Sequence, residues 1–100
     1  MSARDFRLKL SPRARRDFTD ILRYTGATWG QSQVLVYRDL IDAALGAIRL
    51  NPNVGHGHPD LPETHRVYPV GSHVIVYRMM GDVVGVARIL HKRMSIPLHV

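Results

Sequence analysis

Two segments with helical periodicity, separated by a single glycine, constrain the fold of this chain more than any other feature. The first follows Pro12, and the second runs from about Gln31 to Leu50. Their apolar residues recur at helical spacing, at Ala14, Phe18, Ile21, Leu22 and Trp29 in the first and at Val34, Tyr37, Ile41, Ala44, Leu45 and Ile48 in the second. Because Gly30 leaves no room for a linker, we expect an antiparallel helical hairpin whose stripes, including Trp29, face the core.

Three sequence signals mark the ends of these helices. Ser11 and Pro12 are typical of a helix start, because the serine oxygen accepts from first-turn amides and proline suits the first helical position. Ser32 is a candidate cap for the second helix. Pro52 disfavours helical geometry at Asn51 and so ends the helical region.

Strand-like segments flank the hairpin. Phe6, Leu8 and Leu10 alternate with basic residues, which predicts a half-buried strand. After a loop over 54–63 come strand-like runs at 65–68, 73–79 and 83–90, separated by turn residues. The order β-α-α-β-β-β predicts an α+β fold in which the helical hairpin packs on one face of a small, mainly antiparallel sheet. We expect the 100 residues to form a single domain.

Composition narrows the class of partner. The formal net charge of +6 and the pI near 10.5 favour an acidic partner, whether nucleic acid, an acidic protein segment or a membrane surface. The chain has no cysteine, no visible signal peptide and no apolar run long enough to span a membrane, which predicts a cytoplasmic protein. His56 and His58 have metal-ligand spacing without an evident third ligand, so neither a metal nor a cofactor is expected.

Strand register decides which side chains share a face of the sheet. A two-residue turn at Gly81-Asp82 would pair Tyr77 with Val86 and Ile75 with Arg88. If the earlier turn pairs Tyr68 with His73, Arg66 also lies opposite Ile75. This register gathers one basic and aromatic face, which consists of Arg66, Tyr68, His73, Tyr77 and Arg88.

The opposite face would carry small apolar residues, namely Val67, Val74, Val76, Ala87 and Ile89. We expect this apolar face to meet the helices and the basic face to be open. A turn of three residues in either hairpin would exchange the two faces. Arg78 fits poorly on the apolar face in this register.

The basic face and the segment that follows the last strand are the candidate target-binding site. Arginine presents a planar fork to phosphate or carboxylate, and tyrosine offers a stacking surface. The imidazole of His91 and its basic neighbours suit phosphate contact or acid-base chemistry. The candidates are Arg66, Tyr68, Tyr77, Arg88, His91 and Arg93. The alternatives are an exposed sheet face with polar cross-strand pairs and a solvated basic turn.

An ordered set of residues resembles the ParE toxins of the ParE/RelE superfamily over nearly the whole chain. The set comprises Ser11-Pro12, Tyr24 followed by Trp29-Gly30, Arg66, the run from Gly71 to Arg78, and Arg88-Ile89-Leu90-His91 followed by Met94. The resemblance implies the toxin of a bacterial type II toxin–antitoxin module, without catalytic residues, that traps DNA gyrase on DNA and blocks replication. It also implies a ParD-like antitoxin, which binds operator DNA and whose flexible acidic segment wraps over the toxin in a hetero-oligomer.

RelE-type relatives of the same fold instead cut messenger RNA on the ribosome, which gives the alternative function. Val74 stands where such enzymes would have a strand arginine, Arg93 is similar to a later basic residue, and His99 stands near the expected terminal tyrosine. The gyrase poison is therefore preferred. A third possibility is an inactive toxin retained as a partner for an antitoxin.

The exposed arginines of the helical hairpin are the candidate antitoxin contacts. They are Arg13, Arg16, Arg23 and Arg38. An extended or helical acidic segment over the hairpin and the sheet edge would place carboxylates near them. Such pairs would contribute more to steering and specificity than to affinity.

Overall fold

The computed structural model describes residues 6–100, and its elements follow the predicted β-α-α-β-β-β order with one short helix added at the end. The elements are β1 (Arg7–Leu10), α1 (Pro12–Trp29), α2 (Gln31–Leu50), β2 (His65–Val70), β3 (His73–Met80), β4 (Val83–His91) and α3 (Ile96–His99). None of the helices in this part of the chain is both long and apolar enough to cross a membrane.

The four strands form one sheet in the order β1-β4-β3-β2. β1 runs parallel to β4, whereas the other two pairings are antiparallel. Both hairpins close with two-residue turns that start at a glycine, with φ of 56° at Gly71 and 66° at Gly81. Positive φ at the first turn position suits the twist of the flanking strands and favours glycine.

The start of α1 is fixed to the sheet by Ser11. The Ala14 N–H donates to Ser11 Oγ at 3.0 Å, as the predicted cap requires, and Ser11 Oγ donates to the Ala87 carbonyl at 2.8 Å. The second predicted cap is wrong. α2 begins at Gln31 directly after Gly30, without a side-chain cap, and Ser32 lies within its first turn.

The apolar stripes of the two helices meet the sheet as expected, except at Leu22, Trp29 and Val34. Residues of both stripes, including Ile21, Ile41 and Ile48, are buried in one cluster with the sheet. Trp29, by contrast, is 69% exposed, so its prediction as a core residue is wrong. Thr25 is the last buried residue of α1, and the final turn of this helix lies outside the core.

Strand register differs from the prediction at two points. Tyr77 pairs with Val86 as expected, but a β-bulge follows, so that Arg88 lies opposite Val76 and Ile75 lies opposite Ile89. The short turn at Gly71-Ser72 shifts β2 by two residues from the predicted pairing. Arg66 therefore lies opposite Tyr77 instead of Ile75. The predicted row of Arg66, Ile75 and Arg88 does not exist.

The prediction of which sheet face meets the helices is also wrong, except at Ile89, which the bulge in β4 places in the core. Ile75 and Tyr77 are 0% exposed, and Val70, Val84 and Val86 join them in the core beneath the helical hairpin. The face that we expected to be open is thus the inner face, because its larger side chains fill the space between the sheet and the helices. The opposite, outer face carries Val74, Val76 and Arg78.

Candidate functional site

A cleft of about 600 Å³ lies where the tip of the helical hairpin meets the ends of β3 and β4. Its lining is mostly aromatic and polar, and consists of Tyr24, Thr25, Trp29, Gln33, Tyr37, Ser72, His73 and His91. We call this the tyrosine–histidine cleft. A shallower depression beside it shares Tyr24, His73 and His91 and extends the surface to Met94.

A hydrogen-bonded phenol and imidazole form the inner wall of the cleft. Tyr37 Oη lies 2.6 Å from His73 Nδ1 and accepts the Ser72 N–H at 3.0 Å. The hydroxyl proton has two acceptors within reach, His73 Nδ1 and the Val70 carbonyl at 3.5 Å, so the tautomer of the imidazole sets the direction of the Tyr37–His73 hydrogen bond. Burial is the main cause that lowers the pKa of His73, and the charge of the neighbouring His91 lowers it further. The carboxylate of Asp17 acts in the opposite direction.

The second imidazole belongs to His91, the cross-strand partner of His73. The two rings meet edge to face, with centroids 5.3 Å apart and planes at 80°. The Arg93 N–H donates to His91 Nδ1 at 3.1 Å, so Nδ1 of His91 is a hydrogen-bond acceptor. The cleft thus combines two imidazoles with a phenol, a set that can donate hydrogen bonds and exchange protons.

Arg88 lies outside the tyrosine–histidine cleft and lines the adjoining depression, where its guanidinium forms a largely buried ion pair with Asp17 of α1. Nε and Nη2 donate to the two carboxylate oxygens at 2.7 and 2.9 Å, and Nη1 donates to the His99 carbonyl at 2.6 Å. The hydrogen bond and charge of Asp17 raise the pKa of Arg88. The prediction that Arg88 lies on an open face is therefore wrong.

Tyr77 and Arg66 also turn inward. The Tyr77 hydroxyl donates to the Pro52 carbonyl at 2.7 Å and accepts the Gly55 N–H at 2.9 Å. Arg66 Nη1 donates to the Gly55 carbonyl at 2.8 Å. Burial raises the pKa of Tyr77. The predicted exposure of both residues is wrong, because they hold the loop after α2 against the sheet.

The other predicted target-binding residues lie in different environments. Tyr68 is half-buried and packs against the core, so it is not on an open face either. His91 lines the tyrosine–histidine cleft, and Arg93 is exposed just beyond β4. The structure therefore brings His91, Arg93 and Arg88 near one surface, since Arg88 and His91 line the same depression. It separates them from Arg66, Tyr68 and Tyr77.

Sequence reasoning missed Tyr24, Tyr37 and Trp29 as cleft residues. Tyr37 and Trp29 were assigned to apolar core stripes from their helical spacing alone. Within residues 6–100, no group of three or more histidine or acidic side chains is placed to hold a metal ion.

A groove between the two helices lies near the predicted antitoxin contacts. Arg23 lines one part of it with Thr19, Leu22 and Val34, and Arg38 lines the adjoining part with Phe18 and Leu22. Arg13 and Arg16 are exposed on α1. Arg38 is exposed as well, 3.5 Å from Asp39.

A comparison with known families decides the identity. The sequence model of the family described as the ParE toxin of the type II toxin–antitoxin system, parDE, matches residues 8–96. The chain belongs to the ParE toxin family. It is 34% identical to Toxin ParE1 of Caulobacter vibrioides over 91 residues, which cover 91% of this chain and 94% of that protein. It is 31% identical to Toxin ParE1 of Mycobacterium tuberculosis, with 90% and 93% of the two chains covered.

Solved structures share this fold. A chain of the chromosomal ParDE toxin–antitoxin system from P. aeruginosa superposes with a TM-score of 0.76 at 19% identity, covering 88% of this chain and 97% of the other. A chain of the toxin–antitoxin complex RelBE2 from Mycobacterium tuberculosis gives 0.61 at 18% identity, with 88% and 99% covered. Both likenesses show the shared fold.

Proposed function

We propose that this ParE-family toxin acts in the cytoplasm by trapping DNA gyrase on DNA and is neutralised by a ParD-like antitoxin. The family match over residues 8–96 carries the proposal. The hydrogen bonds of two candidate arginines support it. A nuclease needs cations to stabilise charge on the reacting phosphate, whereas two of the three candidate arginines are occupied, Arg88 by Asp17 and Arg66 by the Gly55 carbonyl.

The tip of the helical hairpin and the tyrosine–histidine cleft are the proposed gyrase-binding surface. Trp29 and Tyr24 are 69% and 68% exposed at the rim of the cleft. Aromatic side chains of this kind dominate the binding energy of protein interfaces when a partner buries them. Among residues 6–100, Trp29 lies outside the buried core cluster, and its ring stays available to a partner.

The groove between the helices is the proposed antitoxin surface. Leu22 forms its apolar floor, and Arg23 and Arg38 lie along it. An amphipathic helix would bury its apolar side on this floor and direct acidic residues at the arginines. The toxin–antitoxin pair would then reach operator DNA through the antitoxin.

A supercoiling assay with purified gyrase tests the proposed target. The toxin is expected to inhibit supercoiling and, with ATP present, to yield linear DNA from cleavage complexes. Trp29→Ala should weaken inhibition at least tenfold, while Leu98→Ala, which truncates an apolar residue that is 81% exposed elsewhere, should leave it unchanged. Normal supercoiling at a stoichiometric excess of wild-type toxin would refute the proposal.

Ribosome-dependent cleavage of messenger RNA is the second candidate, and one observation favours it. Tyr37, His73 and His91 place a phenol and two imidazoles in one cleft, where they could serve as acid and base. Primer extension on a translated message would reveal cuts in the ribosomal A site. If such cuts appear and His73→Gln abolishes them, the protein is a nuclease and the gyrase proposal fails.

A further inference from the structure

One row of residues crosses the whole sheet on its outer face, opposite the helical hairpin. Lys9 pairs with Gly85, Gly85 with Arg78, and Arg78 with His65. The row therefore crosses β1, β4, β3 and β2 in that order. It has a basic or imidazole side chain on every strand except β4, where the residue is Gly85. Arg7 lies one row away, opposite Val83.

Within residues 6–100, no ion pair neutralises the cations of this face. Arg7, Lys9 and Arg78 are exposed, and none of them belongs to an ion pair found among residues 6–100. The four strands contain no aspartate or glutamate. Burial and the charge of Arg78 lower the pKa of His65, so this imidazole is a neutral hydrogen-bonding group at neutral pH. Three uncompensated charges remain.

The shape of the face suits a chain of phosphates. Neighbouring strands are about 4.8 Å apart, so the backbones at Lys9 and Arg78 lie roughly 10 Å from each other, and Arg7 lies about 7 Å along β1 from Lys9. This area is wider than one phosphate or carboxylate group. Between the charges lies a trough of about 260 Å³, lined by Gly85 and by Met80, whose side chain packs over the glycine.

The outer face also lacks groups that would read or stack bases. On β2 and β3, it carries Val67, Pro69, Val74 and the fully buried Val76 besides the basic row, whereas Tyr68 and Tyr77 point to the inner face. Proteins that bind single strands depend on aromatic stacking. A surface with cations but without tyrosine, tryptophan or phenylalanine favours the backbone of a duplex.

We propose that the outer sheet face, through Arg7, Lys9 and Arg78, binds the phosphodiester backbone of duplex DNA without reading its sequence. This contact goes beyond the proposed function, because it requires neither gyrase nor an antitoxin. A toxin with such a face would be concentrated along DNA, where topoisomerases also act, and its association would be steered by charge.

Fluorescence anisotropy of a labelled 20-base-pair duplex, titrated with the full chain in a series of NaCl concentrations, tests the proposal without gyrase. Release of counterions from about three phosphates predicts a slope of log affinity against log salt of about −2.7. Lys9→Gln/Arg78→Gln should reduce the slope to about −0.9 and weaken binding at least tenfold at low salt. The matched control, Arg15→Gln/Arg49→Gln, removes the same charge from exposed helix positions and should keep the wild-type slope.

Four outcomes would overturn the proposal. Two concern the variants, namely an unchanged slope in the Lys9/Arg78 variant and an equal loss in the Arg15/Arg49 control. The third is displacement of the duplex by poly-glutamate at equal charge concentration, which would identify an acidic protein segment as the ligand. Tighter binding of a single strand than of the duplex would also contradict it. Because gyrase is absent from the assay, these results leave the proposed target to be tested by supercoiling alone.

Discussion

Arg88 and Asp17, 71 residues apart in sequence, form a bidentate ion pair that joins β4 to α1. Their side chains are only 12% and 15% exposed. Asp17 also accepts the Ile89 N–H at 3.0 Å, and Arg88 reaches the carbonyl of His99 in α3. One buried pair therefore connects the helical hairpin, the sheet and the C-terminal helix.

Removal of one partner of this pair should be costly. Arg88→Met is expected to lower the free energy of unfolding by about 3 kcal/mol, because it leaves the Asp17 carboxylate buried without its counter-ion. Urea denaturation followed by circular dichroism measures the change. The double variant Asp17→Leu/Arg88→Met should lose less than the sum of the single changes, since it leaves no unpaired charge.

The exposed pair of Arg38 and Asp39 provides the control. These side chains are 49% and 73% exposed, and water screens their charges. Arg38→Gln should therefore change the free energy of unfolding by less than about 0.5 kcal/mol. A loss at Arg88 as small as the loss at Arg38 would show that the buried pair does not stabilise the fold.

The buried hydroxyl of Tyr77 predicts both a stability loss and a pH dependence. Tyr77→Phe keeps the ring but leaves the Gly55 N–H and the Pro52 carbonyl without their partner, at a cost of about 1–3 kcal/mol. Tyr24→Phe, at a side chain that is 68% exposed, should cost nothing measurable.

The raised pKa of Tyr77 gives the sign of its alkaline effect. The phenol ionises in the unfolded chain near its ordinary pKa of 10.0 and at higher pH in the fold. Its contribution to stability is therefore complete below pH 10 and is lost as pH rises through the folded pKa. Denaturant midpoints of the wild type should fall more steeply above pH 10 than those of Tyr77→Phe. Parallel curves would contradict this.

The sequence predicted the elements correctly because long periodic segments and capping residues act locally. The helical hairpin, the Ser11 cap and the pairing of Tyr77 with Val86 all follow from such signals. The choice of inner face failed for a different reason. Polarity favoured the valines of β3 as core, but a phenol or guanidinium can be buried when its polar atoms find partners, as Tyr77 and Arg66 do.

Much of the candidate site could not be predicted from the sequence, because it depends on contacts between residues far apart in the chain. No local signal shows that Tyr37 of α2 meets His73 across 36 residues, or that a bulge in β4 changes the partner of Arg88. Trp29 was misplaced because helical spacing does not reveal where the sheet beneath a helix ends. The residues of the tyrosine–histidine cleft therefore became visible only in the folded chain.

Protonation of His73 should oppose folding. Burial and the neighbouring His91 lower the pKa of His73 below its ordinary value of 6.5, so the unfolded chain binds the proton first as pH falls. This contribution to stability is present above pH 6.5 and is lost as pH falls through the folded pKa. NMR titration of the His73 ring protons should give a midpoint below 6.5. A midpoint at or above 6.5 would contradict the geometry of the cleft.

Alanine variants at Gly71 and Gly81 distinguish the cost of backbone strain from the cost of a steric clash. Both have positive φ, of 56° and 66°, so alanine at either position should cost about 1 kcal/mol. At Gly71 a Cβ atom would also lie 2.6 Å from Tyr37 Oη, whereas at Gly81 it would meet no atom within 4 Å. Gly71→Ala should therefore destabilise the protein more than Gly81→Ala in urea denaturation. It should also shift the NMR titration of His73, because Tyr37 must move away from the imidazole to which it is hydrogen-bonded. Equal losses with an unshifted titration would show that the turn does not hold Tyr37 in place.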